Sequence, residues 1–190
     1  MQLLKDRILK DGRVIGNDIL KVDSFLNHQI DMKLMGAMGL ELKKHFEDRK
    51  VTKILTVESS GIPIACVMGY LFEVPVVFAK KVEARNMDLD VYEGEVYSFT
   101  KCRSYIIRVS KRYLLNTDHV LIVDDFLANG KAVLGMKDII DQSGAILEGV
   151  GIVIEKGFQD GSKLLREAGI KVVSLAVIDS FQNGKVVFRD

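Results

Sequence analysis

The chain has 190 residues, enough for one sizeable apolar core, with 48% hydrophobic and 28% charged residues, the balance of an ordinary globular protein. Its 27 Lys and Arg against 26 Asp and Glu leave a net charge of +1, which argues against a nucleic-acid coat but leaves room for a small basic pocket. Cys66 and Cys102 lie far apart, so neither a disulfide framework nor a zinc site is expected, and no apolar run approaches the roughly 20 residues of a membrane span.

Residues 1–10 alternate apolar and charged side chains without the apolar core of a signal peptide, so a cytoplasmic protein is expected. Over 31–50, Met35, Met38, Leu42 and Phe46 recur at spacings of three and four, which predicts a helix with a core-facing stripe rather than a ligand box. Short Val- and Ile-rich runs at 54–57, 74–78, 120–123, 149–154 and 172–178 read as buried strands. Helices are expected at 61–72, 130–140 and 164–168, the last closed by Gly169 in a left-handed cap. Strand and helix alternate, which predicts an α/β fold: a parallel twisted sheet flanked by helices, in a single unit of residues 1–190. Residues 80–95 break the rhythm with a polar, charged stretch, followed by β-rich segments at 95–99 and 105–109. That pattern predicts a flexible antiparallel flap, about 81–110, over a site.

The most informative segment is Val120-Leu121-Ile122-Val123-Asp124-Asp125-Phe126-Leu127-Ala128-Asn129-Gly130-Lys131-Ala132. Ligands of open α/β sheets bind beyond the carboxyl ends of strands. Neighbouring residues within a strand face opposite ways, so Asp124 and Asp125 reach one ligand only if the strand is ending there. Ala128, Asn129 and Gly130 offer little bulk, so their N–H groups can close on an anion at the positive end of the next helix. Carboxylates for sugar hydroxyls beside an anion nest describe a ribose-5-phosphate site.

Three further groups fit the same chemistry. Glu58-Ser59-Ser60-Gly61 joins a strand to a helix and forms a second anion-binding turn, unless its serines simply cap the helix. Lys80 and Lys81 end the next strand, where a cation would neutralise a leaving anion. Lys156 directly follows the strand at 149–154, and its ammonium suits an oxygen acceptor such as a purine 6-oxo group. No residue type demands a covalent or general-base role.

The segment from Val120 to Ala132 resembles the phosphoribosyl pyrophosphate signature of the type I phosphoribosyltransferases, with Asn129-Gly130 where most members have Thr-Gly. Asp125-Phe126-Leu127-Ala128-Asn129-Gly130, together with residues 20–31 (Leu20-Lys21-Val22-Asp23-Ser24-Phe25-Leu26-Asn27-His28-Gln29-Ile30-Asp31), is similar to the bacterial members that use xanthine. The resemblance implies the family fold, with an N-terminal hood of about residues 1–35, and transfer of 5-phosphoribosyl from phosphoribosyl pyrophosphate to xanthine. It implies donor binding by Glu58, Ser59, Ser60 and Gly61 at the pyrophosphate, and by Ala128, Asn129, Gly130, Lys131 and Ala132 at the 5′-phosphate. Leu20, Asn27 and Lys156 match positions that contact xanthine, while Asp124, Asp125 and Lys81 act electrostatically. Mg²⁺ is expected to arrive with the donor rather than in a protein cage, and the chain to pair as a homodimer. Tyr97-Ser98-Phe99-Thr100-Lys101 resembles the family's flexible-loop motif, with no individual roles assigned.

Two alternatives stay open from the sequence. Lys156 suits every 6-oxopurine, so a relative preferring guanine or hypoxanthine differs only in the hood motif. A non-catalytic sensor of phosphoribosyl pyrophosphate would need a nucleic-acid surface, for which the charge and the roughly twenty residues before the hood motif at 20–31 leave little room.

Overall fold

The computed structural model describes residues 1–16, 18–81, 90–98 and 103–189. Chain order gives α1 (Gln2–Asp11), a hairpin of β1 (Arg13–Ile15) and β2 (Ile19–Lys21), a π-helical turn (Asp23–Asn27), α2 (Met32–Lys44), β3 (Lys53–Val57), α3 (Ile62–Phe72) and β4 (Val76–Ala79). A ribbon of β5 (Val91–Ser98) and β6 (Arg103–Ser110) follows, then β7 (His119–Leu127), α4 (Lys131–Ser143), β8 (Ile146–Lys156), α5 (Gly161–Glu167), β9 (Val172–Gln182) and β10 (Lys185–Phe188).

The six-stranded sheet runs β10-β9-β8-β7-β3-β4, parallel except for β10. The parallel sheet matches the sequence expectation, and its one antiparallel edge arises because Asn183 and Gly184, at φ 51° and 72°, reverse the chain in two residues. Alternation along β7 separates two apolar layers. Leu121 and Val123 join Met35, Met38 and Leu42 of α2 and Ile64 of α3, whereas Val120 and Ile122 join Val133 and Ile139 of α4 and Ile107 of the ribbon. Met35, Met38, Leu42 and Phe46 are at most 1% exposed, so the methionine stripe is core. Helix α2 is shorter than the predicted 31–50: Asp31 caps it by accepting from the Lys33 and Leu34 amides, and it stops at Lys44. The alternating residues 1–10 form α1, which buries Leu4 and Ile8 one turn apart.

The connections locate a crevice. The chain leaves β3 for β4 on one side and β7 for β8 on the other, so the carboxyl ends of β3 and β7 flank the point where strand order reverses. Pairing of β7 with β3 stops at Leu55↔Ile122, while pairing with β8 continues to Leu127↔Glu155. The strand was expected to end near Asp124. It ends only on the β3 side, because β8 continues to hold it, and the gap opens there. Of the predicted flap, 82–89 and 99–102 lie outside the described residues, and the remainder is the antiparallel ribbon.

Candidate active site

The first wall of the crevice is the turn after β3. Glu58 accepts from the Lys81 amide at 2.5 Å, which brings the end of the next strand against this turn. Gly61 stands at the start of α3, and no side chain caps the helix, so Ser59 and Ser60 are not occupied as caps. The Glu58–Ser59 peptide is cis. Gly61 is a steric requirement: a Cβ there would stand 2.2 Å from Thr56 Oγ1 and 2.5 Å from Asp124 Oδ1. The turn and the acidic pair are therefore in contact.

Asp124 and Asp125 form the floor, only 5% and 9% exposed. The Asp125 amide donates to Asp124 Oδ1 at 3.0 Å. Burial, then the charge of Asp125, pushes the Asp124 carboxyl well above its ordinary pKa; the Asp125 amide and the more distant Lys81 charge offset little of this. Burial also raises Asp125, partly countered by hydrogen bonds from Asp124, from the Asn27 side chain and from the Phe126 amide. Two carboxyl groups held toward neutrality in a cleft are candidates for a ligand site.

The second wall is the turn after β7. Gly130 takes φ 74° as the N-cap of α4, where an L side chain would be strained. No side chain occupies that cap, so the N–H groups at the start of a 13-residue helix face the cleft. A pocket of about 190 Å³ lies over the turn, lined by Ala128, Asn129, Gly130, Lys131 and Ala132 on one side and by Tyr97 and Tyr105 of the ribbon on the other.

The hood approaches from the remaining side. Lys156, at the end of β8, donates to the Asp18 carbonyl at 2.6 Å, which ties the β1–β2 hairpin to that strand end. Burial lowers the ammonium pKa of Lys156, and the Asp18 charge partly offsets this. Asn27, ending the π-helical turn, lies close enough to Asp125 to lower its carboxyl pKa, so the hood reaches the acidic pair. Leu20 is 7% exposed and packs with Ile8 and Phe25 in the core layer. The structure thus gathers Glu58, Gly61, Lys81, Asp124, Asp125 and Asn27 at one cleft, with the turn 128–132 beside it and Lys156 at the hood; Leu20 is the member that also serves the core.

Residues 23–157 match the family described as the phosphoribosyl transferase domain. The chain belongs to that family. Across all 190 residues and the whole of each relative, it is 63% identical to the xanthine phosphoribosyltransferase of Ruminiclostridium cellulolyticum, 57% to that of Clostridium novyi and 56% to that of Clostridioides difficile. Among solved structures, adenine phosphoribosyltransferase from Giardia lamblia superposes with a TM-score of 0.76 at 20% identity, covering 92% of this chain and 96% of that one. The enzyme from Rhodothermus marinus gives 0.75 at 17% identity, covering 94% and 100%. At such identity the likeness concerns the fold, which is the α/β type I phosphoribosyltransferase fold expected from the sequence.

Some parts of this phosphoribosyltransferase cleft escape sequence reading. Gly161 backs the turn after β7: its amide donates to the Ala128 carbonyl at 3.1 Å, and a Cβ on it would meet that oxygen at 2.2 Å and the Gly130 nitrogen at 2.6 Å. A lone glycine after Asp160 carries no signal of this, since the partner strand is distant in sequence. Tyr105 gives only the alternation of a surface strand. Among the described residues, no group of three or more His, Cys, Asp or Glu side chains could hold a metal ion, and no helix is long and apolar enough to cross a membrane.

Proposed function

We propose that the chain transfers the 5-phosphoribosyl group from phosphoribosyl pyrophosphate to N9 of xanthine, giving xanthosine 5′-monophosphate and pyrophosphate. The observation that carries this reading is one crevice with an anion-binding turn on each side and two carboxyl groups at its floor. The relatives named above supply the choice of base.

The barrier lies in breaking the bond at the anomeric carbon, where positive charge develops on the sugar as negative charge moves to the departing pyrophosphate. Residues 58–61 and Lys81 hold that leaving group, so that fixed donors and a cation stabilise charge where it appears. Asp124 and Asp125 accept from the ribose hydroxyls. Residues 128–132 grip the 5′-phosphate away from the reacting centre, which positions the sugar and lowers the entropic cost of its encounter with the base. Lys156 donates to the 6-oxo group and Asn27 to the base edge, with Leu20 beneath the hood. Mg²⁺ arriving with the donor would supply further charge neutralisation. The acidic pair, with no cation at hydrogen-bond range among the described residues, would fit a metal that the donor carries and that needs few protein ligands. The proposal includes one unit of residues 1–190, a cytoplasmic setting and pairing of two copies.

The test is direct. The purified protein, Mg²⁺ and phosphoribosyl pyrophosphate are mixed in turn with xanthine, guanine, hypoxanthine, adenine and orotate, and nucleotide is followed by chromatography. Xanthosine 5′-monophosphate is expected to dominate, and Lys156→Met is expected to lower xanthine use by roughly ten- to a hundredfold while sparing donor affinity. Turnover led by guanine or hypoxanthine would move the assignment to the other 6-oxopurines, and no turnover at all would falsify it.

A further inference from the structure

The wall of the pocket facing residues 128–132 belongs to the ribbon, and one of its side chains stands where three parts of the cleft meet. Tyr105 lines the pocket, and its cross-strand partner Val96 is 3% exposed in the core layer that includes α4. Tyr105 thus packs against the core layer and borders the cavity at the same time. The Lys81 ammonium lies 5.5 Å from the centre of its ring. Burial, assisted by the nearby Asp124 charge, raises its phenol pKa above the ordinary value, so the hydroxyl keeps its proton at neutral pH. Among the described residues, nothing accepts a hydrogen bond from that hydroxyl. A phenylalanine would pack equally well against Val96 and Lys81.

We propose that Tyr105 is a donor-substrate contact whose hydroxyl gives a hydrogen bond to a sugar-phosphate oxygen of phosphoribosyl pyrophosphate, between residues 128–132 and Asp124. This rests on the reading of the crevice given above and adds to it a residue outside both turns. A donor aimed at a dianionic phosphoryl group forms a charge-assisted bond, the stronger kind. It also closes the pocket from the side that neither turn reaches, so it restrains the sugar against rotation about its phosphate.

The test uses the full chain and Tyr105→Phe, which removes one oxygen and keeps the ring. Calorimetric titration with phosphoribosyl pyrophosphate and Mg²⁺, without base, is expected to give about tenfold weaker binding in the variant. The KM for xanthine at saturating donor, and the melting temperature, are expected to match the parent. Equal donor affinity in parent and variant overturns the role of Tyr105 while leaving the crevice reading intact. A loss shared equally between donor and xanthine also overturns it, marking the hydroxyl as part of the scaffold. A parent chain that does not bind the donor defeats the crevice reading, and the role of Tyr105 with it.

Discussion

Buried aspartates stand at both ends of β7, and the two ends treat them in opposite ways. At the start, Asp118 is 8% exposed and accepts from Lys53 Nζ at 2.7 Å, the Leu115 amide at 2.8 Å and the Thr52 hydroxyl at 3.1 Å. Burial alone would raise its pKa, but Lys53 and these donors outweigh it and hold the carboxyl below its ordinary value. At the finish, Asp124 and Asp125 are as little exposed but lie deeper in the protein, and burial leaves both pKa values raised. The shifts are opposite because the carboxyls at the finish lie deeper in the protein and because, among the described residues, only Asp118 has a cation within hydrogen-bond range. The end of a parallel sheet away from the ligand is built to hold together. The end facing the crevice has, among the described residues, no cation bonded to its carboxyls, and under the proposed function the donor substrate is what meets them.

The sharpest way to break this contrast is Asp124→Asn. The amide oxygen can still accept from the Asp125 amide, so the local geometry survives while one charge disappears. Catalytic efficiency is expected to fall about a hundredfold, the scale of a misplaced reacting group. The melting temperature is expected to rise by about 2–4 °C, since a charge held for function is relieved. Steady-state kinetics and a thermal melt on the same sample check both. A variant that melts lower than the parent would mean that the acidic pair is structural.

At the other end, Asp118→Asn is expected to act the opposite way. Lys53 would keep its bond to the Tyr113 carbonyl at 2.7 Å but lose its carboxylate, and Lys53 and Asp118 are each 12% exposed at the side chain. Partial exposure trims the cost of a broken buried pair to about 2 kcal/mol, or some 4–8 °C in Tm. The catalytic efficiency of the folded fraction is expected to stay within about twofold, because disturbance at the far sheet end leaves the crevice in place. A large loss of activity without loss of stability would erase the division between the two ends.

The crevice end is the more legible of the two in sequence. An apolar run that meets two aspartates, two small residues and Gly130 is a local pattern, and each residue in it does what its chemistry favours. The α2 stripe is legible for the same reason: period and burial coincide. The start of β7 gives no such signal, because Thr52, Lys53 and Asp118 meet only through the pairing of β3 with β7. The β9–β10 hairpin is a different failure, since Asn183-Gly184 is a strong turn signal that the apolar run before it obscures. The gathering of Asp124 and Asp125 on the floor of one crevice belongs to a third class. It depends on β8 continuing to pair after β3 has stopped, which no spacing within β7 encodes.

The smallest effect, and the most specific, is the pH dependence of stability. A carboxyl whose folded pKa is raised holds a proton that the unfolded chain releases near its ordinary pKa of about 4. Between those two values the folded state binds more protons, so Asp124 and Asp125 cost stability as pH climbs through the window, and the cost persists above it. Asp118 has the reverse sign: its contribution is full above the ordinary carboxylate pKa and is lost as pH falls through its lowered value. The Tm of Asp124→Asn minus that of the parent is therefore expected to be near zero in mild acid, where the parent carboxyl is already neutral, and to grow toward neutral pH. The deficit of Asp118→Asn is expected to be largest at neutral pH and to shrink in acid. Melts at a series of pH values separate the two, and parallel, pH-independent offsets would show that neither end of β7 acts through charge.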